Sequence, residues 1–193
     1  MPRLEFWYEF ASNYSWLSAM RIEALAAEAG VEIVWRPFLL GPIFKAQGWA
    51  TSPFNLYPAK GRHMLRDMAR IAAARGLPLI WPQVFPANGL TAARLAVIGE
   101  REGWIAPFTR AVFTAEFSGG RDVSDTAVLA GVLADLGLDA DRLLAAAGGD
   151  DVRATLRRRG QAAIDHGIFG APSFITEDGE LDRKSTRLNS SHT

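Results

Sequence analysis

Residues 10–18 read FASNYSWLS, where Ser12 and Ser15 are separated by two residues, directly after an apolar run and at the start of a helical pattern. Cysteine pairs at this spacing carry out thiol–disulfide exchange, but the chain has no cysteine. Disulfides, thiolate metal ligands and a cysteine nucleophile are therefore all excluded, and any thiol chemistry must use a thiol that arrives from outside. A serine at a helix start has two uses. It can cap the helix by accepting a backbone N–H, the plain reading of an isolated S-x-x-S. It can also donate its O–H to an anion drawn there by unpaired N–H groups and the helix dipole, and a thiolate is such an anion. No metal is expected, because His63, His166 and His192 are scattered along the chain.

The elements that would position these serines follow from periodicity. Leu4 to Glu9 is aromatic and loosely alternating, Ser15 to Ala29 has apolar residues at helical spacing, and Val31 to Phe38 alternates and is β-branched. This is a β-α-β unit, with Gly30 placed as a helix-capping glycine. From residue 41 to 166 strand-like runs vanish, and helices are expected near Ala59–Arg75, Leu90–Glu102, Ile105–Phe117, Asp125–Leu136, Asp139–Ala147 and Asp151–His166. Ser124 is the N-cap candidate of the fourth, and Gly137 closes it. Phe174 to Thr176 then reads as a strand, Asp178-Gly179 as a tight turn and Glu180-Leu181 as the start of a return strand.

An α/β chain with this order has the layout of a thioredoxin-like fold, made from 1–40 and 167–182, with a large all-helical insertion, 41–166, between the second and third strands. In such a fold the proline of GAPSF, Pro172, is cis and faces the start of the first helix, and the backbone of Ala171 is left to pair with an extended peptide. A proline at strand entry is the ordinary alternative.

Several stretches carry a more specific resemblance: FWYEFASNYSWLS, WRPFLLGPIFKAQG, NLYPAKGRHMLRDMARIAAARGLP, FPANGLTAARLA and GIFGAPSFITEDGEL. In this order they resemble the 2-hydroxychromene-2-carboxylate isomerases, relatives of the kappa-class glutathione transferases and of the DsbA-like oxidoreductases. The resemblance runs from about residue 4 to 182. It implies glutathione as cofactor, Ser12 as the catalytic serine whose hydroxyl bonds the glutathione sulfur, and Lys60 as a glutathione contact. Ala171, preceding the cis-proline Pro172 of the glutathione site, would supply backbone pairing, and Asn88 a polar position lining the site, with capping of the Leu90 helix as its other reading. In the reaction so implied, the thiolate adds reversibly to the conjugated system of a chromene acid, the ring opens, a former double bond rotates and the thiolate leaves. A kappa-like transferase acting on electrophiles and a non-catalytic thioredoxin-fold peptide-binding module are the alternatives, since the same thiol site serves each.

The chain also departs from those relatives. Asn13 stands where proline commonly follows the serine, so a less rigid turn is expected. Trp49 and Ala50 replace the asparagine with which kappa-type relatives hold glutathione. After Asp182-Arg183 the expected last helix has no counterpart: 183–193, RKSTRLNSSHT, has one apolar residue and reads as a disordered or non-native tail.

Composition sets the remaining expectations. Half the 193 residues are hydrophobic and 22% charged, with a formal net charge of zero, which suits one compact domain with a sizeable core. Arg157, Arg158 and Arg159 form the one basic run, a solvated helix face. Neither nucleic acid nor membrane is an expected partner, a small aromatic or electrophilic substrate is, and a homodimer is allowed. The N-terminus has acidic residues where a signal peptide keeps its apolar stretch, so a cytoplasmic protein is expected. Phe10, Trp16, Phe38, Trp49 and Phe54 are candidates for an apolar pocket or for the core.

Overall fold

The computed structural model describes residues 1–50 and 56–182. Phe54 and the 183–193 tail lie outside the described residues. Strand β1 (Arg3–Tyr8) alternates as its sequence demands: Phe6 and Tyr8 enter one apolar cluster and Trp7 enters another across the sheet. Helices α1 (Asn13–Ala19) and α2 (Ile22–Ala29) return the chain to β2 (Glu32–Pro37), which pairs in parallel with β1 from Arg3 opposite Glu32 to Tyr8 opposite Pro37. A parallel pair needs such a crossover. Strand β3 (Ser173–Thr176) lies antiparallel to β1, and β4 (Leu181–Asp182) antiparallel to β3, in the order β2-β1-β3-β4. Gly179, at φ +85°, makes the hairpin turn between them, and Gly30, at φ +65°, ends α2.

Between β2 and β3 come α3 (Leu40–Ala46), α4 (Pro58–Ala74), α5 (Leu90–Glu102), α6 (Ile105–Phe113), α7 (Thr126–Asp135), α8 (Ala140–Ala147) and α9 (Asp150–Asp165). A π-helical turn, Thr114–Ser118, extends α6. These helices share a core with the sheet: Phe6, Tyr8 and Trp35 pack in one cluster with Leu95, Phe108, Phe113 and Leu129. The smaller cluster, with Trp7, Phe38, Ile43, Ile168 and Ile175, fills the other side. The two sides are tied at the sheet edge by Arg36, which bonds Glu5 and Glu100 at 2.8 Å each, and Arg159 reaches the same Glu100 at 2.6 Å.

Three local expectations need correction. The helical pattern over Ser15–Ala29 is two helices, because Arg21 at φ −133° leaves the helical region. No proline or glycine marks that break. Packing imposes it: Trp16 and Leu17 of α1 are fully buried, while α2 buries Ile22 and Ala26 along a different line. Asp125, not Ser124, caps α7, its side chain accepting from Ala127 N, while Ser124 is held by Asp122 Oδ1. Helix α3 was not expected, since Gly41-Pro42 reads as a breaker. Proline in the first turn has no intrahelical N–H bond to lose. Among the described residues no helix is long and apolar enough to cross a membrane.

Candidate active site

The end of β1 delivers the chain to α1 through Phe10-Ala11-Ser12, and the Ser12 amide donates to Glu9 O at 3.0 Å to fix that turn. Ser12 then caps α1: its backbone is extended, at φ −97° and ψ 111°, and its Oγ accepts from Ser15 N at 3.1 Å. The capping reading of the serine is met in this geometry, and the same hydroxyl donates its proton to Ala171 O at 3.2 Å. The Ala171–Pro172 peptide is cis, and so is Phe85–Pro86. Ser12 and Ala171, 159 residues apart in sequence, are thus in direct contact.

Ser12, Ala171 and Pro172 lie on the wall of a cleft of about 1010 Å³. That volume is at the upper end of the range for small-molecule sites. Helix α4 supplies the facing wall through Lys60, His63, Met64 and Asp67, which repeat at helical spacing and so share one face. Lys60 is exposed at the mouth, its Nζ 4.6 Å from the Tyr57 ring centroid. Phe44, Gln47, Trp49 and Ala50 close a third side, with the Phe44 and Trp49 rings 5.7 Å apart. Of the aromatic pocket candidates, only Trp49 lines this cleft among the described residues. Phe10, Trp16 and Phe38 are core.

Asn13 departs from its expectation. It is buried, with Nδ2 donating to Met64 Sδ at 2.7 Å and Oδ1 accepting from Tyr14 N at 3.0 Å. The position therefore fastens α1 to α4 and is not a loose turn. Asn88 also needs correction. It is exposed and absent from the described residues that line the cleft, and its Oδ1 accepts from Leu90 N at 3.0 Å. It stands at the start of α5 as a capping side chain, while its neighbours Phe85, Pro86 and Ala87 reach the cleft.

Five further polar residues line the cleft that sequence reasoning did not select: Glu9, Tyr14, Gln47, His63 and Asp67. Tyr14 donates its hydroxyl to Asp67 Oδ2 at 2.9 Å, and burial beside that carboxylate pushes the Tyr14 phenol above its ordinary range. Burial raises the Glu9 carboxyl to about 7, against a smaller opposing effect of the Leu40 N–H that it accepts. Two signals were available. The α4 stripe repeats every three or four residues, and Glu9 is the lone acid in the apolar run FWYEF. Among the described residues no cluster of three potential ligands could hold a metal.

Residues 3–188 match the DsbA-like thioredoxin domain. A 2-hydroxychromene-2-carboxylate isomerase from Sphingobium xenophagum is 28% identical over 176 residues, covering 91% of this chain and 89% of that protein. A solved 2-hydroxychromene-2-carboxylate isomerase superposes with a TM-score of 0.86 at 23% identity, over 96% of this chain and 90% of that one. A probable DsbA oxidoreductase from Streptomyces coelicolor has the same fold, with a TM-score of 0.73 at 22% identity over 94% and 83%. Fold and sequence agree: the chain belongs to the DsbA-like thioredoxin family, in a form without cysteine.

Proposed function

We propose that this protein is a glutathione-dependent isomerase acting on a 2-hydroxychromene-2-carboxylate or a close analogue. The observation that carries the reading is the bond from the Ser12 hydroxyl to the Ala171 carbonyl, beside Pro172 and on the wall of a cleft large enough for a peptide thiol and an aromatic acid together. The similarity to an isomerase of that name over nine-tenths of the chain supports the substrate class.

Glutathione, when bound, supplies the thiol nucleophile that this chain lacks, able to add reversibly to a conjugated acid. Everything else is work for the protein. Ala171 O is the acceptor that an extended peptide would pair with in this fold, and Ser12 occupies it. A peptide N–H donated to Ala171 O frees the Ser12 O–H to turn toward the adjacent sulfur. A hydroxyl has one proton to give, so the two donations compete. The freed O–H favours the thiolate by a charge-assisted bond. Helix α1 adds little to this, because it is two turns long and its dipole is correspondingly small. Lys60, at the cleft mouth, is placed to receive a carboxylate of glutathione. Phe44, Trp49, Phe85 and Phe169 provide apolar surface for an aromatic substrate.

The test is to follow 2-hydroxychromene-2-carboxylate by absorbance with and without glutathione. Isomerisation only with glutathione supports the reading. Conjugation of electrophiles without isomerisation would assign the cleft to a kappa-like transferase, and glutathione binding with neither activity would leave a peptide-binding module.

A further inference from the structure

Glu9 is set apart from the other partly buried carboxylates. Glu5 and Glu100 are paired with Arg36, Asp67 is taken by the Tyr14 hydroxyl and Arg70, and Asp122 accepts from the Ser124 amide and hydroxyl. Glu9 is half-buried at the inner end of β1, lines the cleft and forms no ion pair among the described residues. Its carboxyl accepts the Leu40 N–H at the start of α3. Behind it, on the π-helical turn, Glu116 is completely buried and neither of its oxygens has a hydrogen-bond partner among the described residues.

From this geometry we infer that Glu9 is the proton-transfer residue of the cleft, moving the substrate's hydroxyl proton to its ring oxygen during isomerisation. The inference rests on the isomerase reading. A 2-hydroxychromene-2-carboxylate is a cyclic hemiketal, with a hydroxyl and the ring oxygen on one carbon. Opening it breaks the bond from that carbon to the ring oxygen. The electron pair goes to the ring oxygen, which takes the proton held by Glu9. The hydroxyl gives its own proton to the other Glu9 oxygen as the carbon becomes a ketone. Glu9 ends as it began, protonated, and no outside acid, base or oxidant is consumed.

Such a residue must keep a proton near neutral pH, and this environment is built for that. Desolvation raises its carboxyl to about 7, the range in which a general acid is most effective. The titratable and charged groups around it are Glu116 and Asp122 behind the cleft, Tyr14 on α1, Lys45 on α3, and Lys60, His63 and Asp67 on α4. Glu116 is pushed well above the ordinary carboxylate range by burial, with the Glu9 and Asp122 charges adding to it. That burial disfavours a negative charge on Glu116 behind the Glu9 carboxyl. His63, on the facing wall, is free of ion pairs among the described residues and is within the same cleft to receive the substrate carboxylate.

The test uses the whole protein, with Glu9→Gln, Glu9→Asp and Glu116→Gln variants. Native kcat should fall as pH rises through about 7, because the active form is protonated Glu9. Glu9→Gln should lower kcat by roughly a hundredfold or more and abolish that falling limb, with glutathione affinity by calorimetry unchanged. Glu9→Asp should keep the limb at reduced rate, and Glu116→Gln should keep both limb and rate. Infrared difference spectra should show a protonated carboxyl band that titrates near 7, is retained in Glu9→Asp and Glu116→Gln, and is missing only in Glu9→Gln. A Glu9→Gln enzyme within threefold of native kcat with its limb intact, or a Glu9 carboxyl already ionised at pH 6, would overturn the inference while leaving the isomerase reading standing. Native protein that does not isomerise the chromene with glutathione would overturn both.

Discussion

Replacing Ser12 by alanine removes one hydroxyl that does three things, and their sizes can be separated. It deletes the cap on α1, the 3.1 Å bond from Ser15 N, and the 3.2 Å link to Ala171 O. Losing a serine cap costs about 0.5–2 kcal/mol, and a neutral hydrogen bond about 0.5–1.5 kcal/mol. Together these predict a destabilisation of about 1–3 kcal/mol and a melting temperature lower by roughly 5 °C in a chain of this size. Turnover should suffer separately. A lost hydrogen bond to a charged group is worth about 1.5–3 kcal/mol, or roughly ten- to a hundredfold in rate. Ser15 is the control. It is fully buried, and its Oγ only receives the Glu9 N–H at a long 3.5 Å. Ser15→Ala should change turnover less than threefold. Melting curves and initial rates at saturating glutathione measure both effects. Equal loss of turnover in the two variants, or a destabilised Ser12→Ala protein of native turnover, would refute the assignment of Ser12 to the sulfur.

The other predictions are more local. Lys60→Ala should raise the KM for glutathione about tenfold with kcat within threefold, since the side chain is exposed at the cleft mouth with its Nζ over the Tyr57 ring; steady-state kinetics in glutathione checks it. Gly99→Ala should destabilise the protein by about 1–3 kcal/mol, because a Cβ there would lie 2.6 Å from Trp104 Cε3 and 3.1 Å from Ile105 Cα, forcing α5 and α6 apart; denaturant titration reads it directly. Glu116 titrates well above its ordinary value when folded and near 4.5 when unfolded. Above about pH 4.5 the unfolded chain gives up this proton and the folded one keeps it, so this residue's contribution to stability declines with rising pH up to its folded pKa. Glu116→Gln should therefore gain stability relative to the native protein as pH rises from about 5 to 8, seen in paired denaturation curves.

What the sequence revealed and what it hid have physical causes. Alternation in β1, Gly30 after α2 and the Asp178-Gly179 turn are local requirements of backbone and burial, and local requirements leave local marks. Ser12 and Pro172 were legible for the same reason, each sitting at the boundary of an element. The break at Arg21 left no mark because burial of Trp16 and Leu17 decides it, and the helical spacing continues across it. Helix α3 was masked by Gly41-Pro42. Asn88 was ambiguous because a capping asparagine and a site asparagine look alike beside Gly89, and only the Leu90 contact separates them. Glu9 went unremarked because an acid after an aromatic strand ordinarily faces water. Its place beside Leu40 is set by the meeting of β1 with α3, residues distant in sequence.

If Ser12 acts on a thiol brought by glutathione, the acidity of that bound thiol must depend on the Ser12 hydroxyl. The thiol pKa of bound glutathione can be titrated by thiolate ultraviolet absorbance, as the difference between native protein and Ser12→Ala at saturating ligand. Native protein should hold the bound thiol well below the ordinary pKa of about 8.5 for a free thiol, and Ser12→Ala should return it by about 1–2 units, the equivalent of the lost charge-assisted bond. An identical thiol pKa in the two proteins would contradict the account, leaving Ser12 only a helix cap.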